Sequence, residues 1–521
     1  MFVSLPLSLL APSVLLAAAL VLAARPGRRP TGIGWVPQGA ALAALGLALA
    51  GLCQELLLGP LQVSFGPEPL ALAFTLDGVS AAMTLLVAFI GWVVMRYARS
   101  YLDGEAREGR FHALMLAVLA GVLLLMQAGN LAVFVLAFAA IGTGLRRLLL
   151  FYPERAAARR AATKFTLVWH AADAILLLAA VLLVATFGSG DLDALSEAAS
   201  SGPLPLTGHV AVALLALAAA LKTASFPLHG WLTEVMEAPT PVSALLHAGI
   251  INAGGYLLVR TADLVQASPG TMAALVMLGG LTALFGAVVM LTQSAVKTAL
   301  AWSTVAQMGF MLLQCGLGLW PLALLHIIAH SLYKAHAFLS SGGAVRAVAA
   351  QRRPGPVAVP SLVAVLKSFA LAVVLYLGVA GVFVLLAGPK SAQALALGTM
   401  LVFGVAYLVA QGLADAAPAA LTRRTALASL AAAAAYFTFH LVADAFWGAH
   451  LPPVPQAGAL EWALIVLAVL SFALVAFAQA LFPLWAHHPA AAGLRVHLAN
   501  GLYLNALLDR LIGGFGLAKP H

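Results

Sequence analysis

Charge is what this sequence lacks most: only 9% of its 521 residues are Asp, Glu, Lys or Arg, against about 25% in soluble domains. That shortage excludes an ordinary soluble protein. Cysteine is scarce too, with Cys53 and Cys315 alone, each inside an apolar run. Two separated thiols give no disulfide framework and no zinc or iron–sulfur spacing, so neither redox chemistry nor a cofactor held by this chain is expected. What is abundant is apolar surface. Hydrophobic residues make up 63% of the chain, and the mean hydropathy is +1.02.

Apolar runs near or above the roughly 20 residues needed to cross about 30 Å of hydrocarbon recur along the whole length. Sixteen are distinguished: 6–24, 35–58, 76–95, 111–128, 131–150, 164–187, 208–226, 241–260, 270–292, 299–317, 320–345, 359–387, 393–414, 425–447, 459–483 and 499–516. They lack strand alternation, and backbone groups in lipid must bond within their own segment. The expected fold is therefore all-α, a polytopic membrane helix bundle of about 16 transmembrane helices, with broken helices and inverted repeats. Residues 1–24 have no basic n-region and read as a retained first helix.

Arginine sets the orientation. Arg25, Arg28 and Arg29; Arg96, Arg99, Arg107 and Arg110; Arg155, Arg159 and Arg160; Arg346, Arg352 and Arg353; and Arg423 and Arg424 occupy every second connection, so those connections are expected to be cytoplasmic. Arg260 and Lys390 break the pattern. With sixteen spans, both termini would face outward across a bacterial inner membrane. The formal net charge of +9 is mostly this bias. Anionic lipid accounts for it without nucleic acid.

A charged side chain inside a bilayer costs about 2.5–3.5 kcal/mol on insertion scales, so such residues usually face a protein interior or a wet path. Lys222 lies in the run 208–226, five residues before Pro227, and Pro239 and Pro241 follow. Prolines interrupt helices, and freed carbonyls survive at membrane depth only where protein or water satisfies them. A broken helix beside a lysine suits a hydrated half-channel; a lysine snorkelling from a helix end is the alternative.

His247 follows on the next helix, as a proton carrier or a hydrogen-bonded packing residue. His326, His330 and Lys334 are spaced four apart and share one helical face. Metal binding by the histidine pair finds no nearby carboxylate, and HEXXH is absent. Acidic partners are few: Asp173, three residues after His170; Glu234 and Glu237 in the proline-bounded break; and Asp77, which suits a helix cap. Lys367, in VAVLKSFALAVV, is a further lysine inside an apolar run and a candidate second-half counterpart of Lys222.

The segment KTASFPLHGWLTEVMEAPTPVSALLHAGIINAGGYLLVR (222–260) resembles the signature of the antiporter-like membrane subunits of respiratory complex I, most closely subunit L. The likeness continues through VKTALAWSTVAQMGFMLLQCGLG (296–318), LLHIIAHSLYKAHAFLSSG (324–342), LDGVSAAM and RFHALMLAV, covering roughly residues 60–345. By that resemblance Lys222 matches the central transport lysine, His247 a relay residue, and His326, His330 and Lys334 the buried polar axis. Asp173 matches an acid of the sixth helix, with His170 in place of the usual arginine. The division implied is 1–110 for N-terminal helices, 111–414 for an ion-translocating core and 415–521 for C-terminal helices.

Two departures stand out. The family glutamate of the fifth helix, which pairs with the lysine, falls near Ala139 in LAFAAIGTGLRRLLLFY, where Arg146 and Arg147 stand instead of uncharged residues. Lys222 must then use another partner, such as Asp173 or Glu237, or titrate alone. The chain also stops soon after the last apolar run, without the long lateral helix of subunit L. Together these features resemble the membrane subunits of two-component DAB inorganic-carbon accumulation systems. That resemblance implies an energy-coupling H+ or Na+ conductor, with no catalytic site of its own expected, and a large carbonic-anhydrase-like partner at the cytoplasmic face that carries the zinc. The competing expectations are a proton-pumping subunit of an NADH-quinone oxidoreductase or hydrogenase, a multi-subunit Na+/H+ antiporter subunit, and a structural anchor whose ion path has decayed.

Overall fold

A computed structural model describes all residues except 1–4, 31, 68–70, 344–360, 413–418, 486–487 and 512–521. Arg346, Arg352 and Arg353 thus lie outside the described residues. The chain enters through α1 (Leu10–Ala23), α2 (Val36–Leu58) and the hairpin β1 (Leu61–Phe65) and β2 (Leu72–Leu76), then α3 (Gly78–Tyr101), α4 (Glu108–Met126), α5 (Leu131–Leu149) and α6 (Ala156–Phe187). After the short α7 (Leu192–Ser200) come α8 (Leu206–Lys222), the one-turn α9 (Gly230–Glu234), α10 (Thr240–Ala248), α11 (Ala253–Arg260) and α12 (Ala262–Gln266). The second half holds α13 (Pro269–Met290), α14 (Val296–Gly316), α15 (Trp320–Ser340), α16 (Leu362–Ala387), α17 (Ala392–Gly412), α18 (Ala419–Trp447) and α19 (Ala459–Ala480). It closes with α20 (Phe482–Trp485), α21 (Pro489–Ala499) and α22 (Leu504–Leu511).

Eleven of these helices are long and apolar enough to span a membrane, α10–α11 counting as one, and three more apolar helices are shorter. The run 299–317 is realised as α14, of 21 residues. This is an all-α membrane bundle, as the composition requires. The hairpin was not anticipated. It lies in the connection between two spans, pairs Leu61 with Leu76 through Phe65 with Leu72, and rests on the α4–α5 turn through Thr75 N–H to the Gln127 carbonyl, 2.9 Å.

The last apolar run differs from its expectation. Its described residues, 499–511, form a turn and the eight-residue α22 and not a spanning helix. Its polar side chains are the reason. Asn505 and Asp509 bond to Lys164 at 2.6 and 2.5 Å, and Gln293 holds the Ala499 carbonyl at 3.2 Å, so the segment lies along the arginine-rich face. Leu7, by contrast, bonds to Gln54 near the far end of α2. The last described residue and Leu7 therefore stand on opposite faces.

Close packing of α13 on α14 relies on glycine. A Cβ at Gly279 would stand 2.4 Å from the Leu313 nitrogen, and one at Gly309 would stand 2.4 Å from the Ala283 nitrogen. Small residues allow this backbone approach where lipid supplies no hydrophobic drive between helices.

Both exceptions to the arginine pattern are neutralised. Arg260, at the end of α11, pairs with Asp77, and Lys390 lies 4.0 Å from Asp444, which also faces His440 at 3.3 Å. Asp77 is a helix cap as expected, accepting from Val79 and Ser80 N–H at 3.0 and 2.7 Å in a capping box. Asp77→Ala is expected to lose about 1 kcal/mol of capping and to strand a buried guanidinium, at about 3–5 kcal/mol. Asp77→Asn should retain the first contribution, and thermal unfolding in detergent separates the two. On the arginine-rich face, Arg29 holds the exposed Asp103 carboxyl below the usual carboxylate range by hydrogen bond and charge. An exposed pair of this kind stabilises little.

Candidate functional site

Lys222 is the last residue of α8, where the helix breaks. Thr223 Oγ1 donates to the Ala219 carbonyl at 3.1 Å, Ser225 Oγ to Ala220 at 2.9 Å, and Trp231 Nε1 to Leu221 at 3.3 Å. The last carbonyls before the break thus accept from side chains as well as from the Thr223, Ser225 and Ala224 backbone N–H groups, which allows irregular backbone at membrane depth. Beyond the break, α10 begins with Pro241 in its first turn, where a missing N–H costs nothing.

The lysine does not snorkel. Its side chain is wholly enclosed and its Nζ lies 2.5 Å from Asp173 Oδ1, with the Trp169 and Phe138 rings at 4.2 and 4.3 Å. Asp173 is 17 residues from the start of α6 and 14 from its end, about 25 and 20 Å at helical rise. The ion pair therefore sits near the middle of a span. His170 Nδ1 approaches the other oxygen, Asp173 Oδ2, at 3.2 Å and is itself half exposed. His170, Asp173 and Lys222 form one continuous chain of polar contacts from the bundle flank into its interior.

A second group assembles around α15. His247 on α10 is buried, stacked on Phe338 with centroids 4.3 Å apart, and its Nδ1 faces Thr304 Oγ1 at 2.9 Å. Lys334 is fully enclosed and donates to the Leu300 carbonyl at 2.9 Å. His326 meets Gln314 Oε1 at 2.7 Å, and the His326 and His330 rings are 6.2 Å apart. Neither ring nitrogen of His330, nor Nε2 of His247 or His326, has a hydrogen-bond partner among the described residues. Buried polar atoms are nearly always satisfied, by protein or by ordered water. Asn252, in the turn between α10 and α11, donates to Ser331 Oγ at 2.8 Å and ties that turn to α15.

Two expected members are elsewhere. Glu237 does not reach Lys222; it faces Arg155 at 3.8 Å with nearly half its side chain exposed. Lys367 is exposed on α16, and no ion pair reaches it among the described residues. It does not join the central axis. Its place on the outside of α16 follows from the helix period, which buries Val365 and Ser368 instead.

Sequence reasoning missed Lys164. It is fully enclosed on α6 and contacts Glu234 at 2.6 Å, Asp509 at 2.5 Å and Asn505 at 2.6 Å. Arg160 reaches Glu234 at 3.4 Å. The signal was present in AATKFTLVW, a lysine within an apolar stretch just as at Lys222. Its acidic partners lie 70 and 345 residues away, which no local pattern reveals.

With the geometry in place, known proteins supply the lineage. Residues 128–354 match the family described as NADH:quinone oxidoreductase/Mrp antiporter, and residues 63–112 match NADH-ubiquinone oxidoreductase (complex I), chain 5 N-terminus. A probable inorganic carbon transporter subunit DabB2 from Halothiobacillus neapolitanus is 38% identical over an alignment of 491 residues that covers 91% of this chain and 87% of the relative. The chain belongs to the DabB family. NADH-quinone oxidoreductase subunit L of Mycobacterium tuberculosis is more distant, 33% identical over 56% of this chain and 45% of its own length. Among solved structures, a chain of the Mrp complex from Dietzia sp. superposes with a TM-score of 0.64 at 26% identity, covering 97% of this chain and 59% of that one. DabB-type chains are thus multi-pass membrane subunits built on the antiporter-like bundle.

Proposed function

We propose that this chain is the energy-coupling, cation-conducting subunit of an inorganic-carbon uptake complex in a bacterial inner membrane, its arginine-rich face toward the cytoplasm. The observation that carries the proposal is the enclosed Lys222–Asp173 pair at mid-span, placed where α8 breaks. An isolated charge there would be costly, and a pair with a third titratable neighbour, His170, can pass a proton without ever leaving a bare charge in the low-dielectric interior. Asp173 takes the place of the fifth-helix glutamate that subunit L-like chains use.

From this pair the route continues to His247, Lys334, His330 and His326, whose unpartnered nitrogens suit a water-bridged wire. Lysine and histidine bind and release protons but repel a bare cation, so H+ is the ion favoured over Na+. The proton gradient would drive a carbonic-anhydrase-like zinc subunit docked at the cytoplasmic face; the inorganic-carbon part of this reading is supported by the DabB2 relative's description as a probable inorganic carbon transporter subunit. The chain itself then needs no catalytic centre.

The test is co-purification from native membranes followed by metal analysis. A soluble subunit carrying stoichiometric zinc is the expected companion. Iron–sulfur subunits in its place would move the chain to the respiratory complexes and overturn the carbon-uptake assignment.

A further inference from the structure

The Lys164 cluster does something the transport route does not require: it fastens the C-terminal segment across the break that follows Lys222. Glu234 closes α9, within the break, and Asn505 Nδ2 donates to Glu234 while its Oδ1 accepts from Lys164. A Cβ on Gly230 would fall 1.9 Å from Asn505 Oδ1. The bare Cα of Gly230 leaves the room in which the Asn505 amide seats. Gly501 lies over Trp302 and His229, where an added Cβ would meet the indole at 3.2 Å and the imidazole at 4.0 Å.

Between this cluster and the Lys222–Asp173 pair lies an aromatic septum. Phe165 packs on Trp169 and Trp231 at 5.1 and 5.5 Å, and Trp169 meets Trp231 edge to face at 6.0 Å. Lys164 and Asp173 are nine residues apart on α6, about 13 Å along its axis. With Lys222 and Lys164 both fully enclosed, the arginine-rich side of the route is shut in this conformation. Exchange with that side requires something to move, and the segment 489–511 meets the break while burying little of itself. None of α21 is buried, and Asp509 is the sole buried residue of α22.

Resting on the proposed ion route, we infer that residues 499–511 are a latch, with Lys164 the positioning residue that holds it, and that its release opens the Lys222 route to the arginine-rich face. Asn505 and Asp509, one turn apart on the segment, are its two teeth. Lys164 is the catch on α6, and Glu234 ties the catch to the broken helix whose opening is controlled.

The geometry offers a direct lock. A Cβ at Gly230 would stand 3.3 Å from the Asn505 Cβ, a few tenths short of the roughly 3.5–4.5 Å spanned by disulfides. The variant Gly230→Cys/Asn505→Cys, in a Cys53→Ser background and in the assembled complex, should cross-link on oxidation. Cation flux should then fall to the Lys222→Ala background and return on reduction. Unlocking is the converse: Asn505→Ala/Asp509→Ala should raise passive cation leak, and adding Lys222→Ala should remove that leak. Failure to cross-link, or equal flux in oxidised and reduced protein, overturns the latch. If Lys222→Ala itself leaves flux intact, the underlying route has failed instead, and the two failures are read separately.

Discussion

Lys222→Ala is expected to reduce coupled transport to background while the complex still assembles. Its Nζ is the enclosed partner of Asp173, and no other lysine pairs with that carboxylate among the described residues. Removing one member of a buried pair typically costs about 3–5 kcal/mol, but His170 already contacts the second Asp173 oxygen and can take up part of the charge. The stability loss should fall below that range. Lys222→Arg separates charge from proton transfer. A guanidinium keeps the positive charge but does not release a proton, so this variant should assemble and remain inactive. Asp173→Asn should match the alanine variant in transport.

The second large effect belongs to the histidine–lysine axis. Lys334 is enclosed with a backbone carbonyl for company, and no carboxylate pairs with it among the described residues. Replacing a buried charge with an apolar side chain of similar volume is often neutral or stabilising. Lys334→Met should therefore hold or raise thermal stability while transport collapses, a combination expected of a residue kept for function. His330→Ala should likewise impair transport far more than His229→Ala. His229 is buried among Phe226, Phe285 and Trp302, with the Trp302 ring 4.8 Å away, as a packing residue of the break. Flux through vesicles containing each variant, paired with a melting curve, checks both comparisons.

Much of this site was legible in the sequence because lipid makes charge conspicuous. Lys222, Asp173, His247, His326, His330 and Lys334 stand out in apolar runs, and the i, i+4 spacing placed the last three on one face before any coordinates. Choosing Asp173 over Glu237 was another matter. Both were candidates, and the choice depends on α6 passing beside α8 at mid-span, a tertiary fact. Lys367 misled because hydropathy reports depth along a helix and not the direction a side chain faces. The run 499–516 misled for a related reason: Asn505 and Asp509 look tolerable in a short apolar stretch until Lys164, far away in sequence, supplies partners that hold the segment at the surface. Thr304 and Gln314, which orient His247 and His326, carry no sequence signal beyond being polar in apolar helices.

The central claim is that carbon uptake is driven by protons passing the Lys222–Asp173 pair. It is tested most directly in vesicles holding the intact complex, by following internal pH and accumulation of labelled inorganic carbon together under an imposed proton gradient. Proton influx that accompanies accumulation, with both lost in Lys222→Ala, is the predicted result. Carbon accumulation that proceeds unchanged in Lys222→Ala, or with no ion entering, would contradict the account.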